Sequence, residues 1–565
     1  MRKRENLLFS VMFLLIFVFF CRVIALQVFG CQFLQNKAKK GQLGLMKLPA
    51  FRGTIFDRKG RELAVSLPTN SICLFSKSSE FLHKPENTIG LLVKCLKINK
   101  SSLLERIQKS RDFVWVKRRV EREDYEKIKK LDLPGVGFCK EFKRVYPKGI
   151  LASHILGFTD IDGKGLEGME LKNDELLRGK SGWHILIKDA RGRIIPSLEK
   201  KREKNHEGLN IVLTIDERIQ QIVEEELERV YREFNALSAT AIVMDPFSGE
   251  ILGLANRPTF NPNSPGSYQA SFRRNRAITD IFEPGSVFKV VIAAAVLEEG
   301  ILDPKEVIFC ENGKWLYRKH VLHDAEPHQN LSFREVIAKS SNIGTVKVAS
   351  RLGKEKVYRY ARNFGFGQST GIDLPGEVRG VLRTPDKWSK YSMAAIPIGQ
   401  EVAATPMQAI CALAVIANGG NYVKPYFVKE VEDSQGVSVW KTKPWRRQII
   451  SKETAMTLTS ILRDAVEEEG TAPLAKIYNY TVAGKTGTSQ KVINGRYSHS
   501  KFFSSFIGYA PAENPKVVVL VMVNEPKPLY YGSLVAAPAF REITRRILSY
   551  LEVPQGNEMI AKRTQ

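Results

Sequence analysis

Seven cysteines occur in 565 residues, and no two of them are spaced as Cys-x-x-Cys, so neither a zinc ribbon nor a thioredoxin-type redox pair is encoded. His320, His323, Asp324 and His328 gather in one stretch, but their spacing matches no zinc pattern, and the stretch reads as a polar loop at the rim of a site. Homeodomain, zinc-finger and RNA-binding signatures are also missing. That absence matters because Lys and Arg outnumber Asp and Glu by 86 to 60, a formal net charge of +26. Such a charge by itself suits nucleic acid, an anionic membrane surface or an anionic polymer. Most of the basic residues are interspersed with Glu in mixed-sign runs, so they read as solvated surface, and no nucleic-acid partner is expected. The basic run Lys200-Lys201-Arg202-Glu203-Lys204-Asn205-His206 is expected to be an exposed loop at a hairpin tip.

Long apolar runs are scarce, with one exception. After the basic Met1-Arg2-Lys3-Arg4, residues Leu7 to Leu26 are almost continuously apolar and are broken late by Arg22. About 20 such residues span a bilayer as a helix. The positive-inside rule keeps the N-terminus cytoplasmic. No small-x-small cleavage site follows the run, so an uncleaved anchor is expected rather than a signal peptide. Val28-Phe29-Gly30-Cys31 is faintly similar to a lipoprotein cleavage box, but Arg22 interrupts the apolar segment and Cys31 reads as ordinary. The other exported cysteines would be Cys73, Cys95, Cys139, Cys310 and Cys411, whose disulfide pairing the spacing leaves open.

Three short motifs stand in one order: Ser286-Val287-Phe288-Lys289, Ser340-Ser341-Asn342 and Lys485-Thr486-Gly487-Thr488. Ser286 follows Glu283-Pro284-Gly285 and precedes an apolar stretch to Leu297 that stops at Glu298-Glu299-Gly300, the pattern of a buried helix with Ser286 in its first turn. A negative charge forming there is stabilised by the orphan N–H groups and the positive dipole end. Lys289, three residues on, shares that face. A lysine in the wall of a buried helix loses hydration, so its neutral amine is available as a base for the hydroxyl. Ser340 and Asn342 interrupt a helical pattern with small polar groups, of which the hydroxyl can pass a proton and the amide can both donate and accept. Residues 481–489, 503–510 and 516–523 read as three strands of an antiparallel meander. Gly487 admits close approach, so a peptide could add along this strand while Lys485, Thr486 and Thr488 meet its terminal carboxylate. A helix cap, a plain turn and a charged edge strand are the bland alternatives for the three motifs taken singly.

Taken together and in this order, the motifs resemble those of penicillin-binding proteins and serine β-lactamases. The wider chain is similar to class B penicillin-binding proteins, most of all to the division-specific, penicillin-binding protein 3 type. The resemblance rests on Asn275 to Ser286, on Arg52-Gly53-Thr54-Ile55-Phe56-Asp57-Arg58, on Gly165-Leu166-Glu167-Gly168-Met169-Glu170, on Leu213-Thr214-Ile215-Asp216, and on Gly399-Gln400-Glu401 ahead of Ala404-Thr405-Pro406. It implies an α+β fold in which an antiparallel sheet flanked by helices carries the catalytic site, with an extended, mostly β pedestal and one N-terminal transmembrane helix. The expected division is a cytoplasmic tail at 1–6, an anchor at 7–27, a non-catalytic pedestal of short strands and loops at 28–215, a catalytic domain at 216–552 and a flexible tail at 553–565. A helix around Leu458, Ile461, Leu462, Ala465 and Val466 and a last helix near Phe540 to Leu551 complete the pattern. No appended repeat module fits after the Lys-Thr-Gly motif.

The resemblance further implies a peptidoglycan D,D-transpeptidase of the septum, with the catalytic side extracytoplasmic. Ser286 would be acylated by the penultimate D-Ala of a stem peptide, Lys289 would be its base and Ser340 a proton relay. Asn342, Thr486, Gly487, Thr488 and Lys485 would hold the peptide, and the N–H groups of Ser286 and Thr488 would form the oxyanion hole. Arg52, Asp57, Arg58, Glu167 and Glu170 would form a polar network setting the pedestal against the catalytic domain. No metal or cofactor is implied, and β-lactams are the expected covalent inhibitors. Glu123-Asp124 lacks the Phe and His that a glycosyltransferase would place downstream, so a polytopic glycosyltransferase of the shape, elongation, division and sporulation family and other division proteins are the expected partners. An elongation-type enzyme, a carboxypeptidase or β-lactamase on the same scaffold, and a non-catalytic sensor or division scaffold remain as alternatives.

Overall fold

The computed structural model describes residues 2–29, 43–48, 50–110, 113–187, 201–203 and 205–555, and Cys31 lies outside them. They fall into two compact units. In the first, the apolar run folds as the helix Arg2–Ile24 and continues as a π turn, Ala25–Phe29. Its span Arg4–Gln27 has a mean hydropathy of 2.8 and no part of it is buried in protein. A helix apolar on every side and uncovered by protein is suited to lipid. The same unit holds a three-stranded antiparallel sheet of Leu43–Leu48, Gly182–Ile187 and Lys201–Glu203. Lys201–Glu203 is therefore an edge strand where a loop was expected. Backbone pairing needs only free N–H and C=O groups, and lysine is common on sheet edges. Lys200 and Lys204 of that run lie outside the described residues.

The second unit joins Arg52–Arg178 to Leu209–Gln565. In its pedestal segment the long strand Glu62–Phe75 pairs antiparallel with Phe113–Val120 and Val136–Val145. Alternation along these strands sends Ile72, Leu74, Val114 and Val116 to one face, where they meet Leu92, Leu96, Leu103 and Ile128. Those partners come from three helices, Pro85–Leu96, Lys100–Lys109 and Arg122–Lys130, which the strand-rich sequence expectation lacks. Lys100–Lys109 and Arg122–Lys130 are mostly polar, and each fully buries a single apolar residue, Leu103 and Ile128.

One sheet crosses from pedestal to catalytic region. Its order is Ser438–Lys441, Val428–Glu432, Asn210–Leu213, Ile55–Phe56, Glu62–Phe75 and Phe113–Val120, with Val136–Val145 paired to Glu62–Phe75 off that path. Ile55–Phe56 runs parallel to Asn210–Leu213, and the other neighbours are antiparallel. A second, five-stranded antiparallel sheet is ordered Ile251–Arg257, Ser238–Met244, Val517–Asn524, Arg496–Ala510, Ala483–Ile493. The last three are the expected meander, and Ala483–Ile493, with the Lys-Thr-Gly motif, is an edge.

Both faces of this sheet are covered. Ala241, Val243, Val519 and Val521 face Ile219, Val223 and Leu227 of the helix Glu217–Glu233 and Phe540, Ile543 and Ile547 of the last helix. Ile242, Met244, Val518 and Leu520 face the helices that carry Val290 to Val296, Met407 to Ala417 and Leu458 to Leu462. The last helix runs Gly532–Tyr550, starting well before Phe540 and passing through Pro538. Proline costs the helix one hydrogen bond, and burial of Val535, Ala536, Ala537, Ala539 and Phe540 against the sheet outweighs that loss. The helix Lys452–Asp464 stops one residue short of Ala465, and Val466 turns into the other core cluster.

Candidate active site

Ser286 does not lie in an α-helical turn. Gly285–Phe288 is a 3₁₀ turn, and the α-helix proper is Lys289–Glu298. Residues three apart eclipse in a 3₁₀ turn, so Ser286 and Lys289 share one side. Ser286 is partly exposed, whereas Lys289 is fully buried.

Lys289 Nζ lies 2.6 Å from Ser340 O, 2.7 Å from Asn342 Oδ1 and 3.2 Å from Ser340 Oγ. Asn342 Nδ2 donates to His323 O at 2.8 Å, which fixes the orientation of the amide. Both short contacts therefore run to oxygens that can only accept. A neutral amine has two N–H bonds and one lone pair. In that form the two N–H bonds would serve Ser340 O and Asn342 Oδ1 and leave the lone pair for a hydroxyl. Burial first, then the charge of Lys485, push the Lys289 pKa well below the usual lysine range, against a weaker pull from Asp324. Among the described residues no hydrogen bond joins Ser286 Oγ to Lys289, as is common in catalytic sites without substrate.

Ser340 has φ +62°, a left-handed conformation that costs a non-glycine residue energy and recurs at functional sites. Asp324 helps hold that segment. Its Oδ2 accepts from Ser341 Oγ at 2.6 Å, and its Oδ1 accepts from the backbone N–H of Asn342 at 2.6 Å and of Ile343 at 3.0 Å. Ser341 is itself the N-cap of the helix Asn342–Leu352, accepting from Gly344 N at 2.9 Å. The helix start thus has a second, charged cap from a residue 18 positions before Asn342. Asp324 stands among histidines in the sequence, and its role has no local signal because the cap reaches across space. His320 instead sets its ring against Tyr391, with centroids 4.4 Å apart.

In the edge strand Ala483–Ile493, Lys485 is fully buried and, among the described residues, its Nζ has no hydrogen-bond partner. Burial lowers its pKa to about 7. Thr486 Oγ1 donates to Thr471 Oγ1 at 3.3 Å, and Thr488 Oγ1 accepts from Gly532 N at 3.0 Å, which ties the strand to the last helix. A Cβ on Gly487 would stand 3.1 Å from both Pro284 O and Val287 Cγ2 and would strike Ser505. Its missing side chain seats the strand against the turn that carries Ser286. Gly399, at φ +77°, fits against Gly285, whose N–H donates to Gly399 O at 3.2 Å. Glu283 closes that corner: its Oε1 accepts from Glu401 N at 2.9 Å and from Tyr497 OH at 3.2 Å.

The five pedestal residues do not form one network. Glu170 accepts from Arg52 Nε and Arg144 Nε, each at 2.6 Å, and Arg52 Nη1 also pairs with Asp174 at 2.6 Å. Arg144 and Asp174 were missed, since nothing local marks them. Asp57 turns its own loop, accepting from Lys59 N and Arg61 N at 2.8 Å, and it accepts from Glu217 N at 3.1 Å. Arg58 pairs with Glu250 at 3.0 Å and Glu167 with Arg273 at 3.0 Å, two links into the catalytic region.

Comparison with known proteins is consistent along the chain. Residues 239–545 match the model for the penicillin binding protein transpeptidase domain, and residues 47–213 match that for the penicillin-binding protein dimerisation domain. The chain is 34% identical over 544 residues to "Probable peptidoglycan D,D-transpeptidase PenA" of Neisseria meningitidis, covering 96% of this chain and 91% of that protein. It is 33% identical over 560 residues to peptidoglycan D,D-transpeptidase FtsI of Buchnera aphidicola, covering 97% and 95%. The crystal structure of penicillin binding protein 3 from Mycobacterium tuberculosis complexed with aztreonam superposes with a TM-score of 0.72 at 29% identity, covering 90% of this chain and 98% of that one.

Proposed function

This chain belongs to the class B penicillin-binding proteins, of the septal penicillin-binding protein 3 type, and from that premise we infer how its cleft works. The protein is a membrane-anchored, penicillin-sensitive peptidoglycan D,D-transpeptidase of the division septum. The observation that carries the assignment of residues is the pair of buried lysines. One is held by Ser340 O and Asn342 Oδ1, the other has no hydrogen-bond partner among the described residues, and both belong to elements that meet at Ser286.

Ser286 Oγ attacks the carbonyl carbon of the penultimate D-Ala while the Lys289 amine takes its proton. The N–H groups of Ser286 and Thr488 receive the oxyanion. As the tetrahedral adduct collapses, the C–N bond to the terminal D-Ala breaks, and the proton passes from Lys289, through Ser340 Oγ, to the leaving amine. The amine of a second stem peptide then attacks the acyl-enzyme, gives its proton back along the same route, and releases Ser286. Lys485, with Thr486 and Thr488, attracts the terminal carboxylate, a buried cation waiting for its anion. Asn342 serves the donor peptide and orients Lys289.

The apolar helix anchors the chain, with residues 1–6 on the cytoplasmic side and the catalytic region on the outer side. A glycosyltransferase of the shape, elongation, division and sporulation family supplies the glycan strands. Mass spectrometry after exposure to a labelled penicillin tests the reading. A stable adduct is expected on the Ser286 peptide and none in Ser286→Ala. An unlabelled wild-type protein, where a known family member labels in parallel, would defeat it.

A further inference from the structure

Far from Ser286 in sequence, two sulfurs touch. Cys73 and Cys139, 66 positions apart, lie on the paired strands Glu62–Phe75 and Val136–Val145 with their Sγ atoms 3.7 Å apart. In that register Cys73 faces Gly137 and Ser71 faces Cys139, so the cysteines are diagonal neighbours on one face of the sheet. Diagonal pairs are wider than directly opposed ones. Gly137 closes the gap: with no side chain there, the Cys73 sulfur leans into its space, and a Cβ on Gly137 would stand 2.9 Å from that sulfur. Cys73 is buried and Cys139 partly exposed, so a reagent meets one sulfur first.

We propose that Cys73 and Cys139 form a disulfide in the exported protein, stapling the two pedestal strands together. The proposal goes beyond transpeptidation and rests on that reading in one respect, the placement of the pedestal on the oxidising side of the membrane. The oxidant is a protein disulfide of the thiol–disulfide oxidoreductase class. The Cys139 thiolate attacks one sulfur of that disulfide and expels the other as a thiolate. The deprotonated Cys73 then attacks Cys139 Sγ in the mixed disulfide, forming the bond and expelling the second thiolate. Two electrons pass to the oxidant, and its two thiols take up the two protons lost by Cys73 and Cys139. The hydrogen bond between the thiols lowers the pKa of Cys139 and raises that of Cys73, in keeping with this order of attack. The sulfurs need to close from 3.7 Å to about 2.05 Å, a side-chain movement over Gly137.

The test uses cells expressing the full chain, quenched in acid, treated with N-ethylmaleimide and digested without reductant. The expected result is a linked, unalkylated Cys73–Cys139 peptide pair beside alkylated Cys95, Cys310 and Cys411. Alkylation of both Cys73 and Cys139 overturns the proposal. A membrane-impermeant amine reagent applied to the same cells tells which premise failed: labelled pedestal lysines leave the topology standing without the disulfide, and unlabelled ones remove both. Adduct formation at Ser286 by a labelled penicillin, followed in the same samples, reports separately on transpeptidase chemistry. In detergent, the purified full chain should lose several degrees of Tm on adding dithiothreitol. Cys139→Ser should melt at one temperature with or without it. A wild-type Tm indifferent to dithiothreitol also overturns the proposal.

Discussion

The pedestal and the catalytic cleft each bury charge, and they handle it in opposite ways. In the pedestal Glu170 is fully buried, but Arg52 and Arg144 each bind it at 2.6 Å and Asp174 takes a further arm of Arg52. In the cleft Lys289 and Lys485 are as deeply buried, and among the described residues neither has a salt-bridge partner. Paired charges fix a shape at little chemical consequence. Unpaired ones are costly and shift their pKa, and that shift is what reactivity requires.

The largest expected effect separates the two regions outright. Lys289→Met should lower the penicillin acylation rate by roughly 10²–10⁴, the usual range for losing a general base, with the melting temperature preserved. A Tm collapse in parallel would mean that Lys289 is structural and that the contrast is false. Next, Glu170→Gln should destabilise by about 3–5 kcal/mol, because two arginines lose their buried counter-charge. Acylation per folded molecule should stay unchanged, as read by denaturant melts beside active-site titration.

Lys485→Met tests the contrast from the other side. Removing an unpaired buried cation should stabilise the protein by about 1–4 kcal/mol at neutral pH while weakening capture of carboxylate-bearing substrates. The pH dependence has a definite sign. With a folded-state pKa of about 7 and an unfolded one near 10.4, the unfolded chain holds a proton that the folded chain lacks between those values. Wild-type stability therefore gains with pH across that window relative to Lys485→Met, and parallel urea melts at pH 7 and pH 10 would show the two converging. Divergence instead would refute the burial effect. The smallest effect belongs to Asp324→Asn, which keeps the shape of the clamp but removes its charge from the start of the helix Asn342–Leu352. A loss of about 0.5–2 kcal/mol in stability is expected, with a several-fold slower acylation.

Much of this was legible in sequence where a local pattern carries the physics. The meander around Lys485, the buried stretch after Ser286 and the apolar N-terminal run each announce themselves through periodicity or length. Contacts made across space did not. Asp324 caps a helix to which it is not adjacent in the chain, Arg144 and Asp174 complete a cluster whose other members lie far off, and the backbone and side chain for which Gly487 makes room, Pro284 and Val287, lie far earlier in the chain. Propensity misled where tertiary burial overrode it, as at Pro538 in the last helix. Two pedestal helices, Lys100–Lys109 and Arg122–Lys130, give a weak signal because each fully buries only one apolar residue on an otherwise polar surface.

The strand Asn210–Leu213 lies between Ile55–Phe56 on one side and Val428–Glu432 on the other. A chain that leaves the ribosome N-terminus first therefore finishes its pedestal strands and must then keep one edge of that sheet open until its partner arrives roughly two hundred residues later. During that interval the exposed edge is a template for any passing strand. A chain cut short anywhere between Leu213 and Val428 would therefore carry that sheet with one edge permanently uncovered.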